Sequence, residues 1–135
     1  MLVVRPFSGY GEDQDDCYPF PAIMQRARER HDPFVVWGSG QQVRDFIHVD
    51  DIVEAVMTFH EAGISGPINI GTGTPTSMKQ LAMMASAQFG YTPSITPLTN
   101  EPEGVLYRIA DTTLMNSYYQ PKITLEEGIA RAMGR

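Results

Sequence analysis

The spacing of apolar residues changes period several times along this chain, and each change predicts an element. Leu2, Val3 and Val4 form an unbroken apolar run that stops at Arg5-Pro6. That is the pattern of a strand buried on both faces, as in a parallel sheet. A loop rich in glycine and acid, FSGYGEDQDDCYP, follows. Phe20, Ile23, Met24 and Ala27 then fall at i, i+3, i+4 and i+7, predicting a helix whose closing cations Arg26, Arg28 and Arg30 complement its dipole. FVVW at 34–37 predicts a short strand closed by Gly38-Ser39-Gly40. From Asp50 to His60 the spacing predicts a second helix with Ile52, Val56 and Phe59 inward, ended by Gly63.

PINIG at 67–71 predicts another short buried strand, leading through GTGTPTS into a helix marked by Met78, Leu81, Ala85 and Phe89 and stopped by Gly90. Thr76 or Ser77 is its expected N-cap. The proline-punctuated stretch up to Gly104 is expected to be mostly loop. Tyr107 to Ala110 predicts a brief strand and Asp111 to Ser117 a short helix. Leu125, Ile129 and Met133 mark a last helix, capped by Thr124 with Glu127 at its third position. Strands alternating with helices predict the α/β class, and 135 residues with 42% hydrophobic content suit a single domain, 1–135.

Charge narrows the partners. Sixteen acidic against ten basic side chains give a net charge of −6, which disfavours nucleic acid and acidic membrane surfaces. Cys17 is the single cysteine, so no intramolecular disulfide and no cysteine-rich zinc site can form, and a reducing cytoplasm is the natural setting. The opening MLVV is too short for a signal h-region or a membrane span, so an unexported, cytoplasmic protein is expected.

Candidate chemistry concentrates in RDFIHVDD, 44–51, which reads as a metal site, an acid/base pair, a phosphate clamp or a helix start. In extended backbone Asp45 and His48 point to opposite sides, so they do not pair and His48 reads as structural. Asp50 and Asp51 precede the apolar helix pattern and read as its cap. Arg44, at the end of the Gly-Ser-Gly loop beside Gln41 and Gln42, either grips a phosphate bidentately or bridges Asp45 or another surface acid; residue chemistry alone leaves both open. GTGTPTS has only GxG and reads as a strand-to-helix turn rather than a phosphate cradle. Tyr118 and Lys122 have YxxxK spacing, but Pro121 breaks the helix that this pair requires. His31 and His60 read as helix ends, the methionines as core filler, and no cluster has metal-ligand spacing.

RPFSGYGEDQ, VVWGSGQQVRDFIHVDD, NIGTG, EPEGVLYRIAD and PKITLEEGI occur in that order. Together they resemble the C-terminal portion of an extended short-chain dehydrogenase/reductase, in the NAD-dependent epimerase/dehydratase family that acts on nucleotide-diphosphate sugars. The resemblance covers nearly the whole chain. It implies a partial nucleotide-binding, Rossmann-like fold in which MLVVR and PINIG are late sheet strands, joined to a small C-terminal substrate lobe, with the N-terminal cofactor-binding half missing.

The same resemblance implies that Arg44 and Arg108 contact a substrate diphosphate and that Trp37 lies near the nucleobase, where stacking and a core role both remain open. Ser8 stands where the family commonly has asparagine beside the sugar nucleotide. Pro6 and Phe7 would lie beside the nicotinamide of NAD if an N-terminal half is supplied. No catalytic residue carries over, because GxxGxxG, the acid for the adenosine ribose and a usable YxxxK are absent. The expectation is a nucleotide-diphosphate-sugar-binding half of an NAD-dependent epimerase/dehydratase, inactive and without NAD when alone. The alternative is a non-enzymatic, oligomeric binding or assembly module. In either case the edges of strands 2–4 and 67–70 are expected to be covered, by a homodimer or by a partner chain supplying the N-terminal half.

Overall fold

In the computed structural model, which describes residues 1–134, the apolar run near the N-terminus is strand β1 (Leu2–Pro6). Short strands and helices then alternate: β2 (Ser8–Tyr10), α1 (Pro19–Arg28), β3 (Phe34–Trp37), β4 (Val43–Arg44), β5 (Phe46–His48) and α2 (Val49–Glu61). They continue as β6 (Gly66–Ile70), β7 (Thr76–Ser77), α3 (Met78–Gln88), β8 (Ile95–Leu98), β9 (Tyr107–Arg108), α4 (Thr113–Asn116) and α5 (Leu125–Met133). The class is α/β, as the alternation predicts.

Parallel pairing dominates. β1 runs parallel to β6 from Leu2–Gly66 to Pro6–Ile70, β2 runs parallel to β5, and β3 runs parallel to β8. β4 lies between β7, antiparallel, and β9, parallel. Parallel strands need a long crossover, and the helices supply it. Two of these strands depart from expectation. β2 forms inside the glycine-rich stretch read as loop, because Gly9 has no side chain to collide with Ile52 of α2. β8 forms inside the proline-punctuated stretch, where Thr96 and Leu98 flank Pro97 in register with Val35 and Trp37.

Two apolar clusters hold the chain. Phe20, Ile23, Met24 and Ala27 of α1 pack on Phe34, Val36, Leu81 and Ile129. Ala55 and Phe59 of α2 pack on Ile47, Ile68, Ile70, Met115 and Tyr119. The fully buried face of α2 is therefore Asp51, Ala55 and Phe59, while Ile52 and Val56 are partly buried against the same cluster. Phe59 is inward as expected, but Ile52 and Val56 sit at the margin of that face, because the helix buries the Asp51 carboxylate on it.

That carboxylate also corrects the reading of Asp50-Asp51 as a cap. α2 begins at Val49, so its N-cap is His48, whose Nδ1 accepts from the Asp50 N–H at 3.2 Å. Asp51 turns inward and accepts from the Tyr119 hydroxyl at 2.6 Å and the backbone N–H groups of Lys122 and Ile123 at 2.9 and 3.0 Å. It ties the C-terminal segment to α2. The other caps match their predictions: Ser77 forms a capping box with Gln80, and the Thr124 side chain accepts from Glu127 N. Among the described residues no helix is long and apolar enough to cross a membrane.

Candidate functional site

A groove of about 370 Å³ opens between the start of α1, the Trp37–Arg44 turn and the segment around Glu103. Ala22, Ile23, Val36 and Met78 form its apolar wall, Tyr18 and Trp37 its aromatic side, and Arg26 and Arg44 bring positive charge to it. Local sequence explains the shape. Gly38 adopts φ +67, which glycine tolerates without strain, and a Cβ there would meet Glu103 Cγ at 2.9 Å. The glycine turn therefore brings the chain back close enough for both strand ends to line one cavity.

Arg44 ends β4 in register with Arg108 on β9. Its Nη1 donates to the backbone carbonyls of Val43 at 2.8 Å and Val105 at 2.6 Å, which fixes the guanidinium without neutralising it. Burial, and after it the positive charge of Arg108, pull the Arg44 pKa below its usual value. Among the described residues neither arginine lies within 4 Å of a carboxylate. Adjacent like charges on paired strands are unfavourable by themselves, and a counter-charge beside them would relieve the repulsion. The alternative of an Arg44–Asp45 bridge is excluded by geometry, since Asp45 is buried on the hydrogen-bond donors of the 72–73 turn and of Ala110.

Trp37 is 53% exposed and lines the groove, so it is not a core residue. Ser8, by contrast, is placed away from the groove. It opens β2, with its N–H donated to the Asp45 carbonyl at 2.9 Å, next to Phe7 and the end of β1 at Pro6. Structure thus sets Arg44 beside Arg108 on paired strands and with Trp37 in the groove, and leaves Ser8, Pro6 and Phe7 outside the groove's lining. Arg26, Gln42 and Glu103 belong to the groove and were not singled out from sequence. For Arg26 a signal existed: it follows Ala22 and Ile23 by four and three residues, and therefore shares the helix face that they turn to the groove.

The remaining candidates resolve as structural. His48 and Asp45 point apart, as expected from extended backbone: His48 Nε2 faces Glu12 at 3.5 Å, and Asp45 faces Thr72 and Gly73. Tyr118 lies just beyond α4, exposed, while Lys122 pairs with Glu54, so they do not share a helix. The 71–77 turn leads into a helix whose first N–H groups are already taken, Met78 by the Gln42 carbonyl, Lys79 by the Gly40 carbonyl and Gln80 by the Ser77 side chain, and so it offers no ready cradle for a dinucleotide's phosphates. Among the described residues no group of three or more metal-ligating side chains converges.

Comparison with known proteins places this geometry in context. The profile of the NAD dependent epimerase/dehydratase family matches residues 1–71. A putative GDP-L-fucose synthase 2 of Arabidopsis thaliana is 29% identical over 136 residues, covering 93% of this chain and 42% of the relative. The GDP-L-fucose synthase of Escherichia coli is 31% identical, covering 94% of this chain and 46% of its own length. Among solved structures, MoeE5 in complex with UDP-glucose and NAD superposes with a TM-score of 0.83 at 26% identity, over 98% of this chain and 46% of that one. UDP-glucose 4-epimerase of Thermotoga maritima with UDP-glucose gives 0.80 at 28%, over 98% and 44%. The chain spans less than half the length of these relatives.

Proposed function

Because the chain belongs to the NAD dependent epimerase/dehydratase family, we propose that it is the nucleotide-diphosphate-sugar-binding portion of such an enzyme, a single C-terminal substrate unit comprising residues 1–135. The observation that carries this reading is the register pair Arg44–Arg108, two guanidiniums side by side without carboxylate partners at the edge of an aromatic-walled groove. A diphosphate presents several anionic oxygens to such a pair, and the forked guanidinium meets them bidentately. Arg26 adds a third cation from α1, and Trp37 offers a face on which a base can stack. Ser8, at the start of β2, serves the sugar rather than the nucleotide.

Hydride transfer requires a cofactor cradle and a base that residues 1–134 do not assemble. NAD therefore binds only when an N-terminal half is supplied, with Pro6 and Phe7 on the nicotinamide side, and the chain alone is inactive. The surface that receives that half is the free edge of β1 with exposed Val3, together with Val49, Val53 and Met57, which recur every four residues on α2 and are each about half exposed. A second copy of the chain is the competing occupant, and would make the protein an oligomeric binding module. A reducing cytoplasm fits the exposed free thiol of Cys17.

Calorimetric titration with UDP- and GDP-sugars tests the site: wild type binds, and Arg44→Ala and Arg108→Ala both weaken binding. Absence of heat with every nucleotide sugar, or binding that neither substitution alters, removes the assignment. Light scattering tests the surface, since a clean monomer at working concentration excludes the oligomeric module.

A further inference from the structure

The groove is not uniformly basic. On the wall opposite to a purely anionic ligand's needs, it carries two hydrogen-bond acceptors flanking Gly38. One is Gln42, only 5% exposed, whose Nε2 donates to the Trp37 carbonyl at 2.8 Å. A carbonyl accepts only, so this bond fixes the amide orientation and turns Oε1 the other way, where it has no partner. The other is Glu103, whose Oε1 accepts from the Ser39 N–H at 3.2 Å and from the Ser39 hydroxyl. Its Oε2 bonds nothing among the described residues. Gly38 lies against both side chains, 2.9 Å from Glu103 Cγ and 3.2 Å from Gln42 Nε2 when its missing Cβ is placed.

An unbonded carboxylate oxygen and an orphaned amide oxygen in an anion-binding groove disfavour a phosphate at that end. They become favourable only when the ligand brings donors to them. We infer that Glu103 and Gln42 select the nucleobase, and that the base is guanine. This rests on the nucleotide-diphosphate reading above and specifies it. Guanine presents contiguous donors, N1–H and the 2-amino group, and so offers a partner to each of the two acceptors. Uracil presents a single N3–H between two carbonyl oxygens, at least one of which would face the Glu103 carboxylate. Trp37, Gln42, Glu103, Arg26 and Arg44 all line this one groove, so a base stacked on Trp37 shares it with both acceptors and with the cations that take the phosphates.

Trp37 is the sole tryptophan of the chain, so its fluorescence reports occupancy of this groove directly. The 135-residue chain is titrated with GDP, IDP and UDP, as wild type and as Glu103→Gln. IDP keeps the purine and removes the 2-amino group. The expected result is that GDP binds about tenfold more tightly than IDP or UDP, and that Glu103→Gln lowers GDP to the level of wild-type UDP without weakening UDP. Equal wild-type affinity for GDP and UDP overturns the inference but leaves the diphosphate site standing. A loss of GDP and UDP affinity together in Glu103→Gln also overturns it, by assigning the carboxylate to the ribose that both share. If no nucleotide changes the fluorescence or competes in calorimetry, the diphosphate site and this inference both fall. Should Glu103→Gln not fold, the GDP-to-IDP ratio on the wild type decides alone.

Discussion

Asp45 Oδ1 accepts two hydrogen bonds from Thr72, one from its backbone N–H at 2.8 Å and one from its hydroxyl at 2.6 Å. Its second oxygen, Oδ2, accepts from Gly73 N at 2.9 Å and Ala110 N at 3.2 Å. A fully buried carboxylate thus fastens three segments, the β4–β5 junction, the turn after β6 and the chain after β9. Glycine at position 71 is part of the same fit, since a Cβ there would come within 2.6 Å of the Ala110 side chain.

Replacing Asp45 by asparagine should therefore be costly although the shape is kept. An NH₂ at the Oδ2 position faces two N–H donors, Gly73 and Ala110, whereas at the Oδ1 position it faces the Thr72 N–H and a hydroxyl that can turn to accept from it, so at least one bond is lost and one N–H is left unsatisfied. The expected loss is roughly 1–3 kcal/mol, read as a lower urea midpoint with an unchanged slope. A midpoint within error of wild type would show that the carboxylate charge is not what holds these segments. The groove depends on the same fastening, because Arg44 is the residue before Asp45.

Arg44→Lys should weaken nucleotide-diphosphate binding about 10- to 100-fold, or about 1.4–2.7 kcal/mol, with little change in unfolding midpoint. One ammonium cannot hold both the Val43 and Val105 carbonyls and still present a planar fork to the ligand. Calorimetry against a nucleotide sugar, alongside thermal melts, separates the two effects. Binding equal to wild type would mean that only a point charge is needed.

Gly128→Ala addresses the packing of α5. Alanine is the better helix former by about 1 kcal/mol, yet a Cβ at this position would overlap the hydroxyl of Tyr10 and lie 2.6 Å from its ring carbons. Tyr10 is itself held between Phe20, stacked at 4.2 Å, and His48, edge-on at 5.3 Å. With no room to move, the substitution should destabilise by about 2–3 kcal/mol, and Tyr10→Phe in the same chain should restore part of the loss by removing the closest atom. Additive melts from the two changes would contradict this contact.

How much of this was legible from residue order differs by element. α1, α3 and α5 were readable because their apolar faces recur at helical spacing, and α3 and α5 also carry local side-chain caps. β2 and β8 were not, since a three-residue strand with two half-buried residues and a strand containing Pro97 owe their existence to partners 38 and 61 positions away, β5 and β3. The α2 face was readable only in part because Asp51 is buried, and a hydrophobic count cannot anticipate that Tyr119, Lys122 and Ile123 return to satisfy a carboxylate. In the groove, Arg44, Arg108 and Trp37 came from motif order. Glu103 and Gln42 came only from geometry, since nothing local marks an acid 64 residues downstream as the partner of Ser39.

Alkaline pH offers a test of the buried tyrosines. The Tyr119 hydroxyl is pushed well above the ordinary value of 10.0, first by burial, then by its hydrogen bond to Asp51 and by that group's charge. Tyr10 is raised likewise, by burial first and then by the charge of Asp51. Both are raised in the folded chain, so their contribution is complete below pH 10, where folded and unfolded forms alike hold the proton. Above pH 10 the unfolded chain releases protons that the folded chain retains. Stability must then fall by about 1.4 kcal/mol per pH unit for each tyrosine until the folded pKa is reached. Tyr119→Phe should remove one such increment from the slope of unfolding free energy against pH, and Tyr10→Phe the other. An unchanged slope in Tyr119→Phe would mean that the Asp51–Tyr119 bond opens before the phenol ionises, and would place the attachment of the C-terminal segment on the Lys122 and Ile123 N–H groups alone.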